Sequence, residues 1–167
     1  MYDKLTPNDI KKIEAEISER KNVIGVQINE EIKEARAQGD LSENFEYYAA
    51  RRAKGKNDSR IRYLESILRT AEVIDEPVEE GVVGVNNLVE VFLENRNVKR
   101  IFKVVTTIRA DSLKGYVSIE SPIGKAILGH KEGDRVQVVV NEHVSYYAKI
   151  LSIDNSVDDE DDEINKY

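Results

Sequence analysis

The chain has 167 residues, enough for one ordinary domain or two small ones. Charged residues make up 34% of it, which predicts an elongated, largely solvated part beside a small globular part. The absence of cysteine excludes disulfides, thiolate metal sites and a cysteine nucleophile. No segment approaches the roughly 20 apolar residues that cross a bilayer, and Met1–Asp9 carries no apolar run typical of a signal peptide. We therefore expect a cytoplasmic protein with no membrane partner.

The net charge of -7 is concentrated at the C-terminus, where Asp158–Glu163 are six consecutive acids and the rest of the chain is nearly neutral. Such a run is usually disordered and solvated. We predict that residues 155–167 form an acidic tail that serves solubility or repulsion and contains no site.

The first half has the pattern of a long amphipathic helix. Thr6 is a suitable N-cap and Gly39 a suitable stop, so the helix has roughly 30 residues and a length of about 45 Å. Its apolar stripe misses once, near Arg20 and Lys21. The stripe consists of Ile10, Ile13, Ile17, Ile24, Ile28, Ile32 and Ala35.

A second helix is predicted from about Leu41 to Thr70. The connection at Gly39 and Asp40 is so short that the two helices must form an antiparallel hairpin. Both are too long and too polar to be buried in a small domain, so they cover only each other's stripes. Residues 1–76 are thus predicted to be a coiled-coil hairpin with its tip at residues 39–44.

The second half has short segments rich in valine and isoleucine, which predict strands. Residues 77–82 are interpreted as a linker and residues 83–154 as a small, mostly β domain, so the fold class is α+β. One short helix is expected at Ile123–Leu128, after Ser121-Pro122 and before Gly129. The predicted strands are Val82–Val85, Leu88–Leu93, Ile101–Ile108, Tyr116–Ile119, Val136–Val140 and Tyr146–Ile153.

The tip sequence, residues 39–44, places two carboxylates three residues apart, at Asp40 and Glu43. In one interpretation Asp40 is the N-cap of the second helix and Glu43 completes a capping box. In the other, the pair completes a Mg²⁺ site whose remaining ligands come from another molecule, because Mg²⁺ takes about six oxygens and gives up water reluctantly. The two roles are compatible. His130 and His143 lie in predicted turns, where neither metal binding nor catalysis is expected of them.

The tip hexapeptide, with Glu46-Tyr47 and Ala49-Ala50-Arg51 after it, resembles the hallmark of the GreA/GreB family. The run Ile32–Arg36 before the tip and the segment Ser121–Ala126 in the second half are also similar to that family. The similarity spans residues 5 to about 153, which is nearly everything except the acidic tail.

The resemblance implies a mechanism as well as a fold. The C-terminal domain, similar to an FKBP fold, would dock at the rim of the secondary channel of bacterial RNA polymerase, with Ser121, Pro122 and Ile123 as contacts. The coiled coil would enter the channel, and Asp40 and Glu43 would act on Mg²⁺ held jointly with the polymerase. The polymerase would then cleave the 3′ end of backtracked nascent RNA. The chain itself would be a monomer and no enzyme, and would bind no cofactor alone.

Basic residues cluster on the predicted second helix. One interpretation is a solvated face, partly paired with acids across the hairpin. The other, which the family's basic patch on the same helix supports, is attraction of the RNA phosphates, without sequence-specific contacts because no aromatics are interleaved. These residues are Arg51, Arg52, Lys54, Lys56 and Arg60.

Several residues depart from the family pattern. Lys56 and Asn57 stand at usually apolar positions beside Gly55, so the middle of the coiled coil is expected to be loose. Phe45 replaces a small residue next to the tip. Thr106 and Arg109 also differ from the common choices. These departures keep one alternative open, a channel-occupying inhibitor without cleavage activity. A prolyl isomerase in the second half is disfavoured because aromatic residues are few.

Overall fold

The structure, a computed structural model, describes residues 4–39 and 44–166. The chain divides into two compact units, which are described separately. Ile10–Ala71 forms the helical unit, and Met1–Asp9 joins Glu72–Tyr167 in the β unit. The helical unit is shorter than the predicted domain of residues 1–76. The reason is that β1 (Lys4–Leu5) pairs in parallel with β2 (Glu72–Val73), which places both ends of that range in the β unit.

The predicted helical hairpin is confirmed. Its first arm consists of α1 (Pro7–Glu19), a π-helical turn (Arg20–Ile24) and α2 (Gly25–Ala37), and its second arm is α3 (Phe45–Thr70). Helices α2 and α3 pack against each other through an apolar cluster. The buried members are Ile28, Ile32 and Ala50, with Ile24, Tyr47 and Ala53 packed around them.

The π-helical turn begins at Arg20, where the apolar stripe misses. Asn57, at a position that faces the other arm, is only 4% exposed. Its Nδ2 donates to the Arg20 carbonyl oxygen over 2.9 Å, and the same oxygen accepts from the Gly25 amide. The Arg20 guanidinium in turn donates to Asn57 Oδ1 over 3.1 Å. A side chain inserted into the hydrogen-bond ladder accounts for the wider turn. Asn57 was expected to loosen the middle of the hairpin, but these bonds join the two arms at that position.

The β unit is built on a five-stranded sheet, whose strands are β3 (Leu88–Leu93), β4 (Val98–Val105), β5 (Tyr116–Ser118), β6 (Arg135–Val139) and β7 (Ser145–Asp154). Their order in the sheet is β5-β4-β3-β7-β6. All neighbouring strands are antiparallel except β4 and β5, and a bulge lies between Glu90 and Val91 in the pairing with β7. The predicted α+β class is confirmed.

Alternation along the strands forms the core of this unit. In β3 every second side chain is buried, which places Val89, Val91 and Leu93 on the inner face of the sheet. Helix α4 (Pro122–Ile127) packs its Ile127 into the same cluster. The predicted short helix is therefore confirmed. The segment Val82–Val85, by contrast, makes only one isolated bridge, from Val82 to Lys131, and is not a strand.

The acidic segment after β7 differs most from its prediction. Asp159 and Asp162 are 4% and 7% exposed, so the prediction of a disordered, solvated tail is wrong for them. Asp162 accepts from Lys103 Nζ over 2.8 Å and from Arg109 Nη1 over 2.8 Å. Basic partners buried elsewhere in the unit thus draw two of the six acids inward. Charge patterning alone gave no sign of this, because Lys103 and Arg109 lie more than 50 residues upstream.

The start of α1 belongs to the same buried group. Thr6 and Asp9 exchange the hydrogen bonds of a reciprocal cap, which confirms Thr6 as the N-cap. Asp9 also accepts from Arg109 Nε over 2.6 Å, and Asp159 accepts from Thr6 Oγ1 over 2.8 Å. Arg109 is fully buried and has three aspartates around it, which satisfies the rule that buried charges are paired. In the part of the chain that the structure describes, no helix is both long and apolar enough to span a membrane.

Candidate functional site at the hairpin tip

The connection between the two arms is held by Asn44. Helix α2 ends at Ala37, and Gly39 has a φ of 96°, which is typical of a glycine that stops a helix. Asn44 is 8% exposed and is the N-cap of α3, with its Oδ1 accepting from the Tyr47 amide over 3.0 Å. Its Nδ2 donates to the Ala35 carbonyl oxygen over 2.7 Å. One side chain therefore satisfies backbone groups at the ends of both helices.

Asp40 and Glu43 lie outside the described residues, in the link between Gly39 and Asn44. Where the structure does describe the start of the second arm, α3 begins at Phe45 and its N-cap is Asn44 rather than Asp40. Asn44 is a preferred N-cap residue, and that preference was the signal that sequence reasoning missed. The metal-binding interpretation of the pair stays a prediction.

Further contacts join the two arms beside Asn44. The Arg36 guanidinium lies 5.6 Å from the centroid of the Tyr47 ring, and a hydrogen bond from Arg36 lowers the pKa of the Tyr47 hydroxyl. Gln38 Nε2 donates to Glu46 over 3.2 Å. These contacts supplement the apolar packing and hold the ends of α2 and α3 at a defined separation. Among the described residues, no group of three or more potential ligands is placed to hold a metal ion.

The predicted basic patch divides into two groups in the structure. Arg60 is largely buried, and its Nε donates to Glu16 of the other arm over 2.8 Å, while Lys54 pairs with Asp58 over 3.0 Å. Burial raises the pKa of Glu16, but hydrogen bonds from Arg60 and Arg20 outweigh it and lower the pKa. For Arg60, pairing across the hairpin is therefore the correct interpretation.

The remaining basic residues, Arg51, Arg52 and Lys56, are exposed. Arg52 and Lys56 are four residues apart and lie on the same face of α3, and neither forms an ion pair with any described residue. Two aromatic side chains precede them on that face: Phe45 is 84% exposed and Tyr48 is 45% exposed. No aromatic residue is interleaved among Arg51–Arg60, but Phe45 and Tyr48 lie on the turns of helix just before them.

The Ser121–Ile123 segment has a clear structural role. Ser121 is the N-cap of α4, with its Oγ accepting from the Gly124 amide over 3.1 Å and donating to the Ser118 carbonyl over 2.6 Å. Pro122 occupies the first turn and is exposed, whereas Ile123 packs partly against the core. The proposed polymerase contact of this segment stays a prediction.

Two family models match the chain in succession. The model described as "Transcription elongation factor, N-terminal" covers residues 4–73, and "Transcription elongation factor, GreA/GreB, C-term" covers residues 78–155. The chain belongs to the GreA/GreB family. This confirms the resemblance seen in the tip hexapeptide and the Ser121–Ala126 segment.

Individual relatives agree with this GreA/GreB assignment. "Transcription elongation factor GreA" of Mesomycoplasma hyopneumoniae (strain 7448) is 42% identical over 153 residues, which cover 90% of this chain and 93% of the relative. The protein of the same name from Lachnoclostridium phytofermentans is 37% identical over 91% of this chain and 95% of its own. The chain is thus a GreA-like transcription elongation factor.

Solved structures of similar chains include Gfh1, the GreA factor homolog 1 of Thermus thermophilus. It is 24% identical, covers 92% of this chain and 99% of its own, and superposes with a TM-score of 0.44. The GreA/GreB C-terminal model ends at residue 155, so Asp159 and Asp162 lie beyond it.

Proposed function

We propose that this protein binds bacterial RNA polymerase through its secondary channel and stimulates the polymerase to cleave the 3′ end of backtracked nascent RNA. The observation that carries the proposal is the hairpin itself, whose two long arms are joined by residues 40–43, the stretch that contains Asp40 and Glu43 in the sequence. The N-cap of α3 is Asn44, so the described start of this helix does not call on either carboxylate as its cap.

The length of the helices suits a hairpin that presents reactive side chains at its tip to a distant site on a partner. Helix α3 has 26 residues, which correspond to about 39 Å. Cross-hairpin bonds at Arg60, Asn57 and Asn44 keep the two arms in register along this length. A defined register matters because groups that assist a reaction must be positioned to within fractions of an ångström.

Asp40 and Glu43 would supply two of the about six oxygen ligands that Mg²⁺ takes, and the polymerase would supply the others. When bound, the ion would polarise the phosphodiester and favour ionisation of a water. The contribution of this chain is to hold the two carboxylates in place and to accept a proton from the attacking water. Two carboxylates are too few to hold the ion alone, so the protein would bind none by itself and would not be an enzyme.

The family assignment supports a proposal for the other contacts of the complex. Ser121, Pro122 and Ile123 would contact the polymerase at the channel rim, and Arg51, Arg52 and Lys56 would attract the phosphates of the extruded RNA. The protein would act as a monomer, with one hairpin in each channel, inside the cytoplasm where the polymerase works.

A transcript-cleavage assay tests the proposal. Stalled, backtracked elongation complexes with labelled RNA are mixed with the protein and Mg²⁺, and shortened RNA is measured. The double variant Asp40→Ala/Glu43→Ala should lose stimulation while competing fully with the wild type for the polymerase. Asn44 is left intact so that the cap of α3 is preserved. If the double variant stimulates cleavage as well as the wild type, the proposal is wrong.

A further inference from the structure

The outward face of α3 carries a continuous row of residues beginning next to the tip. They are spaced by three or four positions, so they lie along one side of the helix. Their backbone positions are opposite the residues that pack against the other arm, such as Ala50, Asn57 and Ile61. We call this row the outer stripe of α3. Its members are Phe45, Tyr48, Arg52, Lys56, Ser59 and Tyr63.

The aromatic members of the outer stripe are unusually accessible. Phe45 is 84% exposed although it is the first residue of the helix and directly follows the tip. Tyr48 is 45% exposed, and its ring meets that of Tyr47 edge to face with centroids 5.6 Å apart. The second ring is therefore oriented by Tyr47, which in turn contacts Arg36. A phenyl ring exposed to this extent is accessible to a partner molecule.

The charged members decide which kind of partner fits. Arg52 and Lys56 follow the two rings on the same face, and neither is neutralised by any described carboxylate. From Phe45 to Tyr63 the stripe contains no acid. Flat apolar rings followed by unpaired cations complement a polyanion that carries flat apolar groups. Single-stranded nucleic acid has this chemistry, since its bases stack on aromatic side chains and its phosphates attract cations.

We propose that Phe45 and Tyr48 form a stacking platform for unpaired bases of the extruded RNA, with Arg52 and Lys56 holding the phosphates that follow. This inference rests on the proposed cleavage function and extends it, because it assigns the bases, and not only the backbone, a binding site on the factor. Stacking does not discriminate strongly among bases, so the platform would hold the 3′ segment without reading its sequence. Held beside the tip acids, the RNA would lose freedom before the reaction.

The test compares RNA with and without bases. Backtracked complexes are assembled with an extruded RNA 3′ segment that is either normal or abasic at its last two nucleotides. Cleavage rates are then measured at concentrations of this protein that do not saturate the complexes. For normal RNA, Phe45→Ala and Phe45→Leu should each lower the rate about five- to tenfold, since leucine keeps the bulk but not the flat ring. For abasic RNA, the wild type and both variants should cleave at the same rate. Tyr48→Ala should behave as Phe45→Ala does.

Val26 provides the matched control, because it is 54% exposed and lies on α2. Val26→Ala should cleave both RNAs as the wild type does. An equal loss for normal and abasic RNA at Phe45 would assign the ring to a protein contact, and no loss would mean that it has no partner. Either result overturns the stacking platform. The proposed function fails separately, if the wild type cleaves neither RNA or if the Asp40→Ala/Glu43→Ala variant remains active.

Discussion

Arg109 Nη1 and Asp162 Oδ2 are 2.8 Å apart in the interior of the β unit, although the two residues are separated by 53 positions in the chain. The same arginine contacts Asp9, at the start of the first helix, over 2.6 Å. Lys103 completes the group through its bonds to Asp162. The acidic segment therefore closes over two buried cations.

The first prediction concerns the contribution of this segment to stability. Asp162→Ala leaves Lys103 and Arg109 buried with fewer counter-charges, and removing one partner of a buried ion pair costs about 3–5 kcal/mol. We expect the free energy of unfolding, measured by urea denaturation, to fall by about that amount. Asp161→Ala is the control, because it removes the same charge from an exposed neighbour and should change stability by less than about 0.5 kcal/mol. Equal effects of the two variants would restore the idea of a solvated tail.

The second prediction is that the free energy of unfolding depends on pH in the acidic range. Burial raises the pKa of Asp162, but hydrogen bonds from Lys103 and Arg109 outweigh it and lower the pKa below its ordinary value. In Asp159, likewise, burial is outweighed by bonds from Asn8 and Thr6 and by the charge of Arg109. A carboxyl with a lowered pKa stabilises the fold above its unfolded pKa of about 3.9, and this stability is lost as the pH falls through the folded value.

Accordingly, the free energy of unfolding should decrease more steeply below about pH 4 in the wild type than in a variant truncated after Val157. Denaturation curves over a pH series measure both slopes. The truncated chain should also be less stable than the wild type at neutral pH. Parallel slopes below pH 4 would show that Asp159 and Asp162 do not carry the acid sensitivity.

The third prediction is that substitution by alanine has opposite effects on stability at two glycines of the hairpin. A Cβ at Gly25 would lie 2.9 Å from the Arg20 carbonyl oxygen, which already accepts two hydrogen bonds in the π-helical turn. A Cβ at Gly55 would meet nothing within 4 Å. Gly55→Ala should therefore stabilise the hairpin by about 0.5–1 kcal/mol through helix propensity. Gly25→Ala should destabilise it, by roughly 1 kcal/mol, despite the same gain in propensity.

Thermal unfolding followed by circular dichroism distinguishes these two outcomes. A stabilising Gly25→Ala would mean that the turn relaxes to a regular α-helix at no cost. That result would also call into question the bond from Asn57 to Arg20.

The fourth prediction tests the role of Asn44, which bonds to backbone groups at the end of α2 and the start of α3. Asn44→Ala removes the cap of α3 and leaves the Ala35 carbonyl without its side-chain donor, so we expect a loss of about 1–2 kcal/mol. Asn44→Asp keeps an acceptor for the Tyr47 amide but cannot donate to Ala35, and should be intermediate. Hydrogen exchange at the amides of Tyr47 and Tyr48 gives the measurement. If exchange is equally slow in the wild type and both variants, Asn44 does not stabilise the start of α3.

Much of the fold could be predicted because its signals are local. The three-four spacing of apolar residues predicted the helical arms. Alternation predicted the strands, and the bounds of Leu88–Leu93 are confirmed, whereas the strand predicted at Ile101–Ile108 lies at Val98–Val105. The short link at Gly39 required a hairpin. For the candidate site, the acids and the basic residues could be recognised from the sequence. The N-cap of the second helix was predicted at Asp40, whereas the cap of α3 is Asn44, because both residue types favour an N-cap.

The sequence by itself determined the order of helices and strands, the hairpin and the family, because each depends on neighbours within a few positions or on recognisable motifs. Only the tertiary structure decided what polar residues do when distant segments meet. Asn57 and Arg20 are 37 positions apart, and Arg109 and Asp9 are 100 positions apart. Whether such groups are solvated or buried depends on which partners the folded chain brings to them, since a buried charge is tolerated only when it is paired.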